Sequence, residues 1–379
     1  MRPSTSWPAA FACWAQCGEG VALILFVGPL PPPVHGFSVI NGAMLARFQA
    51  AGVVSVFNRA PPAGQGFIGQ TWHGLRLLLA FLRSLWRSPA GSALYIGLSG
   101  GLGQLKDLPY LLAARLWRRP VLVHHHSFAY LRRQPWYARG VLGLLRQARH
   151  IALCDCMADV LAAKYRIPRQ QVEVLSNAAH LPAAGPCATR VPQGALCLGF
   201  LSNITAAKGI WAFFELGDAL LKRGVQVQAM VAGPVAPDIA LRFAAELASR
   251  PWCQHLGAVY GADKDLFLGR IDVLVFPTFY ANEAEPVTIL EALSLGVPVV
   301  ANARGCIQDV LPASAGAVFT DDPQFVGLAA QLLQDWAGQA SSVWLDRRMA
   351  AHAAFNALQT EHARRAGQIV ARMTGGVAP

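Results

Sequence analysis

The sequence predicts an α/β protein of two doubly wound, Rossmann-like domains, and three observations carry that prediction. Short aliphatic or β-branched runs recur through the 379 residues, separated by helix-length segments, which is the pattern of parallel strands with crossover helices. The chain is too long for one ordinary core, so two domains of roughly 150 to 200 residues are the natural division. Between two series of runs lies AAHLPAAGPCATRVPQG, residues 178–194, rich in Ala, Pro and Gly and without apolar periodicity, which reads as a linker.

The first series of strands is VALILFVG, VVSVFNRA, SALYIGLS, PVLVHHHS, HIALCD and QVEVLSNA; the second is CLGFLSN, VQAMVAG, CQHLGAVY, VLVFPT, VPVVAN and GAVFT. The resulting division is an extension at 1–20, a first domain at 21–183, a linker at 184–194, a second domain at 195–345, and an Ala-rich helix at 346–379 that packs back on the first domain. Ligands in such sheets bind beyond the carboxyl ends of the strands, so the expected active site is a cleft lined by both domains.

Hydrophobic residues make up 54% of the chain and charged residues 14%, yet no uninterrupted apolar run reaches the ~18 residues of a spanning helix. VALILFVGPL is only strand-sized, and the segment before it lacks the basic start and small-residue cleavage site of a secretory signal. The eight cysteines show neither a paired zinc spacing nor the density of a disulfide scaffold, and read as reduced thiols of a cytoplasmic protein. Charge is divided unevenly: residues 1–190 hold 19 Lys/Arg against 5 Asp/Glu, and residues 191–379 hold 13 against 16.

NEAEPVTILEAL, residues 282–293, sets three carboxylates in a very apolar part of the chain. Pro286 suits the first turn of a helix that runs to about Leu295, where Gly296 stops it. Val287, Thr288, Glu291, Ser294 and Leu295 then share one face, opposite Ile289, Leu290 and Leu293. Free amides near Pro286 to Thr288 would form an anion site, with Glu291 about 7 Å down the axis. A phosphate there leaves Glu291 for the hydroxyls of a ribose and Glu283, in the preceding loop, for the group beyond the phosphates. The plainer alternative is that Glu283 or Glu285 caps the helix.

FPTFYANEAEPVTILEALSLGVPVVANARG resembles the Glu-x7-Glu signature of retaining family 4 glycosyltransferases, which have the GT-B architecture of two facing Rossmann-like domains. LGFLSNITAAKGI is similar to the family's glycine-loop-and-lysine segment, FVGPLPPPVHGFSVIN to its first loop, VLVHHHSFAYL to its histidine segment and VEVLSNAAH to the end of its first domain. The resemblance implies catalytic roles for Glu283, His126 and Lys208, and a donor site made by Gly36, Ser202, Asn203, Lys208, Glu283, Pro286, Val287, Thr288 and Glu291. Asn203 stands where the family commonly has arginine, which leaves less positive charge for the phosphates.

Lys208 would neutralise the diphosphate, and Gly36, in a loop stiffened by three prolines, would allow close backbone approach to a phosphate. His126 would orient the donor sugar. His124 and His126 point to one side of their strand and His125 to the other, a splay that disfavours a metal site. DKD at Asp263 to Asp265 spells a metal-binding pair but reads as the acidic start of a helix. No metal or other cofactor is expected.

The implied reaction moves a sugar from a nucleoside diphosphate donor to a hydroxyl acceptor with retention, as in bacterial surface glycan or glycolipid biosynthesis. A nucleotide-sugar 2-epimerase and a non-catalytic glycosyltransferase-like partner are the alternatives. The expected partners are the donor, a glycan or lipid-linked acceptor, and an anionic membrane surface met through LRLLLAFLRSLWRS and RRQPWYARGVLGLLRQARH, at the inner face of the cytoplasmic membrane. The same basic charge would attract nucleic acid, but no nucleic-acid motif is present, and no such partner is expected.

Overall fold

The structure, a computed structural model, describes residues 23–60, 64, 66–320 and 322–375, so the expected 1–20 extension lies outside the described residues. The chain divides into two units: residues 1–175 with 362–379, and residues 176–361.

The first unit holds a six-stranded parallel sheet of β1 (Leu23–Gly28), β2 (Val53–Asn58), β3 (Ala93–Leu98), β4 (Val121–His125), β5 (Arg149–Ala152) and β6 (Val172–Val174), in the order β2-β1-β3-β4-β5-β6. Every strand overlaps its predicted run. β3 is buried along its whole length, because helices cover both faces of a parallel sheet and leave no polar side to alternate with. One face carries the Phe67–Arg87 helix, whose Phe81 ring meets Phe57 and Tyr110 edge-on at 5.2 and 5.0 Å. Asp107 is fully buried; it accepts from the Ser99 amide at 2.8 Å and pairs with Arg59.

The second unit is also a six-stranded parallel sheet, of β7 (Leu196–Leu201), β8 (Val227–Ala232), β9 (Cys253–His255), β10 (Val273–Phe276), β11 (Val299–Asn302) and β12 (Gly316–Phe319), but in a different order, β12-β11-β10-β7-β8-β9. Alternation along β7 sends Leu196, Leu198 and Phe200 to a core with Phe213 and Phe214, and Cys197 and Leu201 to a core with Ile289, Leu290 and Leu293. Each of these two sheets has a doubly wound order, so the chain holds two Rossmann-like units, as the sequence predicts.

Two boundaries differ from expectation. Residues 184–194 are tied into the second unit: the Ala188 amide donates to Leu295 O at 3.1 Å, and Arg190 pairs at 2.9 Å with Asp272, a buried carboxylate that also accepts from the Cys197 amide. Composition registers the missing apolar period there, not a backbone bond and one arginine that dock the segment. The last helix is a single element, Ser341–Thr374, and the division between units falls within it at His362. Its end is held in the first unit by Arg365, which donates to Val174 O at 3.3 Å, and by an Arg372–Glu173 ion pair.

Cys187, Cys197 and Cys253 are free thiols, but Cys154 and Cys306 are disulfide-bonded, so the expectation of thiols throughout fails at those two. Spacing along a chain does not show which sulfurs the fold brings to a partner. Among the described residues no helix is long and apolar enough to cross a membrane.

Candidate functional site

In the second unit the strand order reverses between β7 and β10, with β8 and β9 on one side and β11 and β12 on the other. Ligands of open α/β sheets bind outside the carboxyl ends of the strands at such a point. The loop leaving β7 carries Ser202, Asn203 and Lys208; the loop leaving β10 carries Thr278, Tyr280 and Glu283. Topology therefore delivers the predicted lysine and the first predicted glutamate to one place.

There Lys208 Nζ donates to Glu283 Oε2 at 2.5 Å, and Thr278 Oγ1 donates to the same oxygen at 3.1 Å. The ammonium also lies 4.9 Å from the centre of the Tyr280 ring and 5.6 Å from that of Phe276. The side chains of Lys208 and Glu283 are 19% and 10% exposed, a poorly solvated pair that still reaches solvent. Such a pair gains little net stability over apolar neighbours, because desolvation offsets most of the attraction, so its presence needs another reason than stability.

Two glycines make the approach of these loops possible. Gly209 has φ +84°, and a Cβ there would lie 1.9 Å from Pro277 O; Gly233 has φ +135°, and a Cβ there would lie 1.8 Å from Ser202 O. The Lys208 turn is closed by its amide, which donates to Thr205 Oγ1 at 3.1 Å. Ser202 is half-buried and Asn203 exposed, at the mouth of the same loop.

The helix after Glu283 spans Val287–Ser294, and Pro286 is its N-cap rather than its first residue. No side chain caps it, so neither Glu283 nor Glu285 serves as the cap. Ile289, Leu290 and Leu293 are fully buried, while Val287, Thr288, Glu291, Ser294 and Leu295 are half-buried, as the helical spacing predicts. The amides of Val287 and Thr288 begin the helix beside the Glu283 loop.

The three carboxylates of this segment have three different fates. Glu283 meets Lys208. Glu291 meets Lys264, the middle residue of the DKD triplet; burial pushes the Glu291 carboxyl above its usual range and the lysine pulls it back. Glu285 is buried, with one oxygen held by the Asn177 amide, while Asn177 Nδ2 donates to Glu285 O at 3.0 Å. Burial, opposed by the Asn177 and Ser176 hydrogen bonds and reinforced by Asp309, raises the Glu285 carboxyl to about 8. It is mainly protonated at neutral pH and locks the 176–180 segment to the 285–286 turn. Asp263 and Asp265 lie in the first turn of the Ala262–Arg270 helix, but Gly261 is its N-cap and makes no side-chain bond, so the triplet's acids favour the helix end by charge alone.

Gly36 and His126 belong to the first unit. Gly36 is exposed at the start of the Gly36–Ala51 helix, which His35 caps by accepting the Ser38 amide at Nδ1, 3.2 Å away. The His126 ring lies 4.6 Å from that of Phe37, tilted by 40° to it, next to Gly36. The histidine triplet splays as expected: His124 and His126 rings are 4.0 Å apart, while His125 turns the other way to Tyr130 Oη at 2.7 Å and His150 Nδ1 at 3.0 Å. His124 is itself buried and bonded to Tyr95 Oη at 2.8 Å.

Sequence reasoning missed Thr278, Tyr280, Lys264, Asn177 and Asn41. Thr278 and Tyr280 lie inside the quoted loop and could have been read as its polar lining. Lys264 and Asn177 carry no signal, since each finds its carboxylate across 27 and 108 residues of chain. Asn41 donates to Pro29 O at 3.1 Å and fills the space that side chains at Gly28 and Gly97 would need.

Residues 195–335 match the family model described as Glycosyl transferases group 1. No curated protein matches the chain. Among solved structures it is similar to a glycosyltransferase from Rickettsia africae, at 14% identity and a TM-score of 0.66, covering 94% of this chain and 99% of that one. It is also similar to the HepE protein of Anabaena in complex with UDP, at 15% identity and 0.63, covering 90% and 98%. A third likeness is to the lipopolysaccharide outer core galactosyltransferase WaaB in its apo form, at 14% and 0.60, covering 89% and 99%.

Proposed function

We propose that this chain is a retaining glycosyltransferase of family 4, moving a sugar from a nucleoside diphosphate to a hydroxyl acceptor. The observation that carries the reading is the Lys208–Glu283 pair at the strand-order reversal, inside the segment that matches the glycosyl transferases group 1 model. The UDP held by the Anabaena relative makes UDP-sugars the first donors to try.

In this reading a diphosphate competes with Glu283 for Lys208 and takes the amides of Val287 and Thr288. Glu283, released, accepts hydroxyls of the sugar, and Glu291 accepts those of the ribose. The bond from the anomeric carbon to the diphosphate breaks, the diphosphate leaves with the electron pair, and the acceptor oxygen bonds on the same face as its hydroxyl proton passes to an oxygen of the departing diphosphate. Negative charge growing on the leaving group is met by an ammonium and amides already in place, which lowers the barrier without reorganisation at the moment of reaction. No residue is assigned as nucleophile, and that charge is assigned to Lys208 rather than to a metal or other cofactor. Gly36 and His126 keep the parts the resemblance gives them, at a donor phosphate and the donor sugar.

The acceptor is a glycan or a lipid-linked sugar of surface glycan biosynthesis, reached at the inner face of the cytoplasmic membrane, with no nucleic-acid partner. Incubation with labelled UDP-, GDP- and ADP-sugars and membrane extract tests this. Transfer of label to an acceptor supports it. Interconversion of the donor alone would point to an epimerase, and binding without turnover to a non-catalytic partner.

A further inference from the structure

The Phe67–Arg87 helix has two apolar faces, and the first unit uses only one. Phe81 and Leu85 lie on the inner side and are fully buried. At 100° per residue, Ile68, Trp72, Leu75, Leu79 and Trp86 fall within about 60° of one another on the outer side. They are 83, 61, 45, 57 and 71% exposed, and Arg76, Arg83 and Arg87 run along one flank of the stripe. The neighbouring Gly103–Leu116 helix packs against this one and shows a stripe of its own, Leu105, Leu112 and Leu116. A core helix with solvated arginines accounts for the inner face, not for two tryptophans and three aliphatic side chains aligned on the outer one.

Charge identifies the occupant. Residues 20–154 hold 14 Lys/Arg and a single carboxylate, Asp107, which is fully buried and taken up by Ser99 and Arg59. This surface therefore presents cations and apolar groups with no acid among them. A nucleic acid would match the cations and its bases could stack on the two tryptophans, but it offers nothing for Ile68, Leu75 and Leu79 in the same stripe, whereas an anionic bilayer matches all of them. Since no described helix is long and apolar enough to span, the contact lies in the interface.

We infer that the outer face of the Phe67–Arg87 helix seats the first unit on an anionic lipid surface. The helix lies along the interface, with Trp72 and Trp86 at headgroup depth and Arg76, Arg83 and Arg87 on lipid phosphates. This rests on the membrane contact in the function proposed above and assigns it a face.

The full-length protein is sedimented with phosphatidylcholine vesicles, with and without phosphatidylglycerol. Partitioning is expected only to the anionic vesicles. The double variant Trp72→Ser/Trp86→Ser should weaken it about tenfold or more, and Arg76→Gln, Arg83→Gln and Arg87→Gln about fivefold each at low salt. Donor turnover without vesicles should be unchanged in all of them. Binding lost in Arg132→Gln/Arg133→Gln but kept in the stripe variants overturns the face and leaves the membrane contact standing. No partitioning of the wild type overturns both. If the double variant instead abolishes self-association in sedimentation equilibrium, a second copy of the chain covers the stripe and the inference fails.

Discussion

The two units are both six-stranded parallel sheets, though ordered differently, and they treat charge in opposite ways. In the second, carboxylates and lysines meet in half-buried pairs, Lys208 with Glu283 and Lys264 with Glu291, at and near the strand-order reversal. In the first, carboxylates are almost gone, and the buried titratable groups beneath β4 and β5 are imidazoles held neutral, His125 on His150 and His150 on Leu145 O at 3.0 Å. The difference teaches that a common scaffold leaves the distribution of charge free. The second unit keeps charges that a ligand can rearrange, and the first keeps a cationic exterior over an interior whose buried carboxylate, Asp107, is tied up by Arg59 and Ser99.

The strongest blow to this contrast would come from Lys208→Ala. If the ammonium meets charge that grows on the leaving diphosphate, its loss should lower kcat by roughly a hundred- to a thousandfold, on the scale of one lost oxyanion donor, with a much smaller change in donor affinity. Steady-state kinetics with the preferred donor measures both. A change confined to KM would mean that Lys208 only binds, and the charge pair would lose its catalytic meaning.

The pH response of the two units should run in opposite directions. Glu285 has a folded value of about 8, above the ordinary 4.5, so its contribution is fully present below about pH 4.5 and is lost as pH rises towards 8. His150 is lowered from 6.5 to about 4, chiefly by burial, so its contribution is present above about pH 6.5 and is lost as pH falls through 4. Each effect is on the order of a few kcal/mol. Calorimetry of the full-length protein across this range should show one transition falling with base and the other with acid. Glu285→Gln should flatten only the first, and two parallel profiles would refute the contrast.

A smaller, structural effect probes the loops that carry the pair. Gly233→Ala puts a methyl group against Ser202 O in a backbone region that side chains rarely adopt, a cost of about 1 to 3 kcal/mol that should lower the melting temperature of the second unit. Gly64→Ala, also at positive φ but with open space around it, should cost less.

The twelve strands among the described residues were legible in the sequence because buried parallel strands are continuous apolar runs bounded by turns, and that signal is local. The face of the Val287–Ser294 helix was legible for the same reason. The partners of its carboxylates were not: Lys264 reaches Glu291 and Asn177 reaches Glu285 through tertiary folding, and nothing near either residue announces it. The docking of residues 184–194 was hidden in the same way, behind Arg190 and a carboxylate 82 residues on.

Glu291 offers the finest test, because Lys264 gives it two explanations. If Lys264 were its whole purpose, the half-buried pair would only brace the Ala262–Arg270 helix, with desolvation offsetting most of its attraction, and Glu291→Ala would move neither binding nor turnover. If Glu291 serves the ribose, its carboxylate must stay charged despite burial, and Lys264 is what keeps it so, since the lysine opposes the rise that burial causes. Glu291→Ala should then weaken nucleotide binding about tenfold, the value of one hydrogen bond to a charged group, while kcat at saturation holds. Lys264→Ala should weaken it as well, and more at low pH than at high, because without its partner the carboxyl takes up a proton sooner. Titration calorimetry with UDP at two pH values reads both, and a pH-independent Lys264 variant would assign the pair to bracing alone.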